Sequence, residues 1–155
     1  MIRAFCDWVA ASPLSAAIGG TVWIVPLVQT IHLLLIAAMM ASALLFSVRL
    51  LGFGGRDQTI AEAARRFALV LGVAIPGLAV TGIVLILAEP ARELLNPAFA
   101  IKMLLLVIGL AASVWAVRRL MRADSAVARW IGAAGLPLWM AVVAAGRWIA
   151  YMQEP

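Results

Sequence analysis

The stretch 21–48 runs for 28 residues without a formal charge, and it is the first of four such apolar stretches. The others cover 67–87, 98–117 and 130–152, and the only charged residues inside them are Lys102 and Arg147. About 20 helical residues cross a hydrocarbon core. Backbone N–H and C=O groups in lipid must be satisfied within their own segment, so these stretches are helices and not strands. The pattern predicts an all-α integral membrane four-helix bundle. At 1.5 Å per residue the first stretch would measure roughly 42 Å against a core of about 30 Å, so it must tilt, bend or extend into the headgroups. Composition agrees: of 155 residues, 66% are hydrophobic and 12% charged, where a soluble domain is nearer half and a quarter. A core this small cannot hold that many apolar side chains. The surplus faces lipid, which excludes a soluble enzyme, a disordered tail and a conventional nucleic-acid binder.

Residues 1–20 read as a short interfacial helix and a linker, and 21–155 as the transmembrane domain. Ile2, Phe5, Trp8 and Val9 recur at helical spacing around Arg3 and Asp7, and Ser12-Pro13 ends the pattern. Asp7 and Pro13 interrupt any signal-peptide core, so the first span is expected to be a retained anchor. The single cysteine, Cys6, cannot form an intrachain disulfide, a redox pair or a zinc cluster. It reads as a small apolar residue of the interfacial helix. The connecting loops are too short for a soluble domain.

The net charge of +5 comes from eleven arginines and one lysine against seven acids. Arg49, Arg56, Arg65 and Arg66 lie between the first two spans; Arg118, Arg119, Arg122 and Arg129 lie between the last two. In a four-helix protein these two loops share one face, and the positive-inside rule makes that face cytoplasmic. Both termini are then extracytoplasmic. The arginines serve orientation, and no nucleic-acid partner is expected; the partner is the bilayer, with a homo-oligomer or a membrane complex open.

The rare polar residues share a depth. His32 lies about three residues from the middle of its span, Lys102 about five before the middle of the third, and Arg147 about six past the middle of the fourth. Because alternate helices reverse direction, all three fall in the extracytoplasmic half, with Gln29 and Tyr151 towards the same end. Ionisable groups within spans are costly and mark candidate sites. Each has a plainer role: Lys102 and Arg147 can snorkel to headgroups, and His32 can be a buried histidine bonded to a neighbouring helix. Met39 shares a face with Gln29 and His32 and reads as packing. No residue set has zinc or copper spacing, and no Asp or Glu lies within a span, so a carboxylate proton relay is missing. Small residues four apart offer helix contacts at Ala37/Ala41, Gly77/Thr81, Gly109/Ser113, Ala112/Ala116 and Ala141/Ala145.

Several strings occur together in order: Trp23-x-x-Pro26 followed by His32, then Arg49-Leu50-Leu51-Gly52, then Thr81-Gly82. Asn96-Pro97-x-Phe99-x-x-Lys102 and Gly146-Arg147-Trp148-Ile149-Ala150-Tyr151 complete the set. In this order the chain resembles a bacterial family of small four-helix inner-membrane proteins of unknown function, over nearly its whole length. The resemblance implies the fold and an inner-membrane location, and no activity. Family members often carry an acidic residue before the Arg-Leu-Leu-Gly string, where this chain has Ser47-Val48.

The leading expectation is a non-enzymatic accessory or ligand-binding subunit with a polar pocket lined by Gln29, His32, Lys102, Arg147 and Tyr151. The alternative is a redox component binding haem or quinone through His32, which would be a metal ligand only if haem is bound. A small transporter or channel is the second alternative. A periplasm-active reporter fused after residue 155 should be active, and a cytoplasm-only reporter silent; the reverse result would invert the topology.

Overall fold

A computed structural model of the chain describes residues 2–53 and 58–151, with 149–151 described by backbone alone. In chain order the helices are α1 (Ile2–Ala10), α2 (Pro13–Gly20), α3 (Ile24–Leu50), α4 (Ile60–Ala88), α5 (Pro90–Leu94), α6 (Pro97–Arg122) and α7 (Ala126–Tyr151). Among the described residues there is no strand. Four helices, α3, α4, α6 and α7, are long and apolar enough to cross a membrane, and the protein is an all-α, multi-pass membrane bundle.

Helix ends are set by hydrogen bonding and not by hydropathy. The Thr59 hydroxyl accepts from the Glu62 N–H at 3.2 Å, and the Glu62 carboxylate accepts from the Thr59 N–H at 2.7 Å. This reciprocal cap starts α4 at Ile60, seven residues before the apolar stretch expected at 67. Pro97 occupies the first turn of α6, and the Asn96 side chain accepts from the Ala98 N–H at 2.9 Å. At the end of α3, Gly52 takes φ +85°, its N–H bonds the Arg49 carbonyl, and the Phe53 N–H reaches back to Val48. That Schellman closure needs a left-handed residue, which glycine supplies without steric cost. Gly54, Gly55 and Arg56 lie outside the described residues. The charged turns at the ends of α4, α6 and α7 are helical too, so each of these helices outruns its apolar stretch. Beside α7, the Arg129 guanidinium pairs with Asp124 and holds its carboxyl below the usual carboxylate range.

The four spans form a closed ring in which α3 packs on α4, α4 on α6, α6 on α7 and α7 on α3. Neighbours are antiparallel, and α3 and α6 stand on a diagonal. Met39, Ala43, Phe46 and Leu50 of α3 meet Phe67, Leu71 and Ala74 of α4, Val117 and Leu120 of α6, and Trp139 and Val142 of α7. Phe46 and Phe67 stack with ring centroids 4.7 Å apart. The buried Trp139 Nε1–H donates to Ser113 Oγ at 3.1 Å, which satisfies two polar groups inside the bundle. Met39 is 1% exposed and therefore packs.

Lipid tails are as apolar as leucine, so helices here associate through close contact and not through apolar burial. Gly77 lies under Leu35, Gly109 under Leu138 and Trp139, and Gly132 under Leu50 and Phe46. The expected contact at Gly77/Thr81 joins α4 to α3, and that at Gly109/Ser113 joins α6 to α7. Ala37 and Ala41 instead face outward, because the inward face of α3 is the one bearing Met39 and Ala43.

The segment expected as a linker after α1 is helical: Pro13 opens α2 and Ser12 caps it through the Ser15 N–H. Cys6 and Val9 are buried, with α1 packed on α5, while Phe5 and Trp8 stay exposed. The Cys6 thiol points at the Pro90 carbonyl at 3.7 Å, and the Ser15 hydroxyl donates to the Leu87 carbonyl at 2.8 Å. The latter bond satisfies a carbonyl in the last turn of α4. These three short helices gather at the bundle end that also holds the start of α3 and of α6.

A Cβ at Gly132 would stand 2.5 Å from Leu50 Cδ1 and 3.3 Å from Phe46 Cε1. Gly132→Val should therefore force α7 from α3 and destabilise the bundle by about 1–3 kcal/mol, read as an earlier unfolding transition in a denaturing-detergent titration. Gly72→Val, where no atom lies within 4 Å of the added Cβ, is the control and should unfold close to the parent.

Candidate functional site

The Thr81 hydroxyl lies in α4, where helix interiors commonly return a threonine proton to the carbonyl one turn back. Here Oγ1 is 2.7 Å from the Gly77 carbonyl and 2.7 Å from His32 Nδ1. A hydroxyl has one proton. Donated to Gly77, it leaves Thr81 Oγ1 to accept from His32 Nδ1–H; donated to Nδ1, it makes the ring the Nε2–H tautomer. The first arrangement follows the habit of helical threonines, and in it Nε2 keeps a lone pair. The Cε1 edge of the same ring rests against Gly82. His32 is half-buried and held from one side, and its second nitrogen has no partner among the described residues.

Lys102 enters from α6. Its stem crosses Gly146 of α7: a Cβ placed there would be 3.5 Å from Cε and 3.7 Å from both Cδ and Nζ. The side chain is half-buried. Among the described residues its ammonium makes no hydrogen bond or ion pair. α3 and α6 are diagonal partners, so His32 sits with Thr81 and Gly82 of α4 while Lys102 sits with Gly146 of α7. His32 and Lys102 lie near the starts of α3 and α6, and Thr81 and Gly146 near the ends of α4 and α7, so the two pairs share one layer of the bundle. The two glycines are where the long polar side chains lie flat against a neighbouring backbone.

Of the residues singled out from the sequence, His32 and Lys102 are half-buried, each against a neighbouring helix. Gln29 lies one turn before His32 and is exposed; Arg147 follows Gly146 and is exposed. Tyr151 closes α7, and its side chain lies outside the described residues. Thr81 is the residue that depth arguments missed, since they considered only ionisable groups. Its signal was present as Thr81-Gly82 in the middle of an otherwise apolar span, one turn after Gly77. Gly146 was visible only as a member of the Gly-Arg-Trp string. Among the described residues no group of three or more His, Cys, Asp or Glu could hold a metal ion. At the opposite end, the Arg49 guanidinium holds the Gln58 carbonyl through Nε at 3.0 Å and Nη2 at 2.5 Å.

In the Nδ1–H tautomer the layer presents an acceptor, His32 Nε2, and a cationic donor, Lys102 Nζ. Such a pair suits a molecule that offers a hydrogen-bond donor and an electron-rich oxygen. Because the chain has one histidine, its imidazole nitrogens are resolvable without ambiguity by ¹⁵N NMR. The parent protein at neutral pH should show the Nδ1–H tautomer. Thr81→Val should shift the population towards Nε2–H, and Thr81→Ser should keep the parent pattern.

A family model described as a family of unknown function, DUF6644, matches residues 5–152. No curated protein and no solved structure matches the chain. The matched range takes in all four spans and every residue of the His32–Lys102 layer, and the chain belongs to the DUF6644 family of unknown function.

Proposed function

We propose that this membrane protein is a non-enzymatic ligand-binding or accessory subunit whose site is the His32–Lys102 layer, in the extracytoplasmic half of an inner-membrane bundle. The observation that supports it most is Lys102: an ammonium within a span, half-buried, without an acceptor among the described residues. Such a charge is costly in the bilayer unless something pairs with it. An anionic or carbonyl-bearing ligand would pair with Nζ, and a hydroxyl or N–H of the same ligand would meet His32 Nε2. Gln29, Arg147 and Tyr151 then belong to the mouth of the site. The arginine distribution supports the assignment of this half to the outside. Purification in mild detergent followed by mass spectrometry of co-purifying small molecules tests the reading. His32→Ala and Lys102→Met should each lower retention of the bound species by about tenfold, the worth of one charge-assisted hydrogen bond. Retention by both variants equal to that of the parent would sink the proposal.

The uncommitted Nε2 favours one more specific reading, a haem- or quinone-binding redox component. Iron-ligating and quinone-binding histidines have one nitrogen fixed by a second partner so that the other is presented. Thr81 would be that partner, and Lys102 and Arg147 would hold propionates or a quinone carbonyl. A visible spectrum with a Soret band lost on His32→Ala supports haem. A colourless preparation that retains quinone, and loses it on the same substitution, supports quinone.

A further inference from the structure

At the arginine-rich end, far from His32, a groove of about 280 Å³ opens between α3 and α4. Its floor is the stacked pair Phe46 and Phe67, and its outer wall includes Leu45, which is 71% exposed. The groove runs along α3 from Ser42 to Arg49. Seven residues separate these two, roughly 10 Å along the helix axis. One end is therefore apolar and faces the hydrocarbon, and the other reaches the level of the interhelical loop. At that loop end stand Arg49, Arg66 and Gln58.

Among the described residues neither Arg49 nor Arg66 is in an ion pair. Arg49 uses two of its N–H donors on the Gln58 carbonyl; a guanidinium has five, so three remain. Arg66 lines the groove, is exposed, and has Glu62 one turn before it within electrostatic range. The Glu62 carboxylate is already committed to the Thr59 N–H. Two guanidinium groups at the mouth of an apolar channel call for an amphiphile with an anionic head. In a bilayer, a molecule of that chemistry reaches the groove laterally.

We infer that this groove holds one anionic phospholipid, its phosphate between Arg66 and the remaining donors of Arg49, and the upper part of one acyl chain over Phe67 and beside Leu45. Arg49 and Arg66 do more than report topology: they form a site for a specific lipid charge. Planar guanidinium groups suit phosphate because they bind two of its oxygens at once. The groove is independent of the His32–Lys102 layer, and its test is separate.

The test is native mass spectrometry of the full chain in neutral detergent, titrated with phosphatidylglycerol, phosphatidylcholine or inorganic phosphate. One phosphatidylglycerol per chain should remain bound at concentrations where phosphatidylcholine does not, and inorganic phosphate should not displace it at equal concentration. Arg66→Gln should weaken retention about tenfold. Leu45→Trp, which fills the channel without touching a charge, should also abolish it. Thermal unfolding of both variants checks that they fold, which the exposed positions predict. Equal retention of the two lipids overturns the inference, as does unchanged retention by Arg66→Gln. Displacement by inorganic phosphate alone overturns it as well, since the site would then be a plain anion site.

Discussion

The close approach of helices at small residues is the constraint on which the bundle rests. In water, burying the apolar faces of α3 and α7 would drive them together; in lipid that gain vanishes, and dispersion contact must replace it. Contact improves steeply as backbones approach, so positions without a side chain control it. Gly132 admits Leu50 and Phe46, Gly77 admits Leu35, and Gly109 admits Leu138 and the Trp139 ring. These contacts join neighbouring spans on three sides of the ring. The stacked Phe46 and Phe67 add a directional contact within the α3–α4 pair.

The same environment governs polar groups, which have no water to fall back on. Ser113 meets Trp139 and Ser15 meets the Leu87 carbonyl, and each pairing costs little once the helices are in place. His32 meets Thr81 on one nitrogen only. Lys102 lies along Gly146, and its ammonium has no partner among the described residues. Against a background of satisfied partners, those two exceptions at one level give the bundle a chemical polarity that its apolar contacts do not require. Ser47 Oγ is buried without a partner among the described residues, but it stands alone, and a lone hydroxyl costs far less than a lone ammonium.

Much of the candidate site was legible as depth. His32 and Lys102 interrupt apolar runs, and reversing alternate helices puts them in one half of the bilayer before any contact is known. Depth gives height and not azimuth, which is why Gln29 and Arg147 could be named with them although both are exposed. Thr81 was legible as a helix contact with Gly77 and not as a site residue, since a threonine is unremarkable inside a span until a histidine is found opposite it. Likewise α4 and α6 extend beyond their apolar stretches because the Thr59–Glu62 cap and the charged turn through Arg122 are helical.

By itself the sequence determined that this chain lies in a membrane, crosses it with four helices, and gathers arginine at one end and rare polar side chains towards the other. Those properties follow from length, hydropathy and charge, which need no partner to be defined. Only the tertiary structure decided which faces meet. It turned Ala37 and Ala41 outward, set Thr81 against His32, laid Lys102 on Gly146, and left a groove between α3 and α4 beside Arg66. The rotation of a helix about its own axis is set by contacts with its neighbours, and no single segment contains that information.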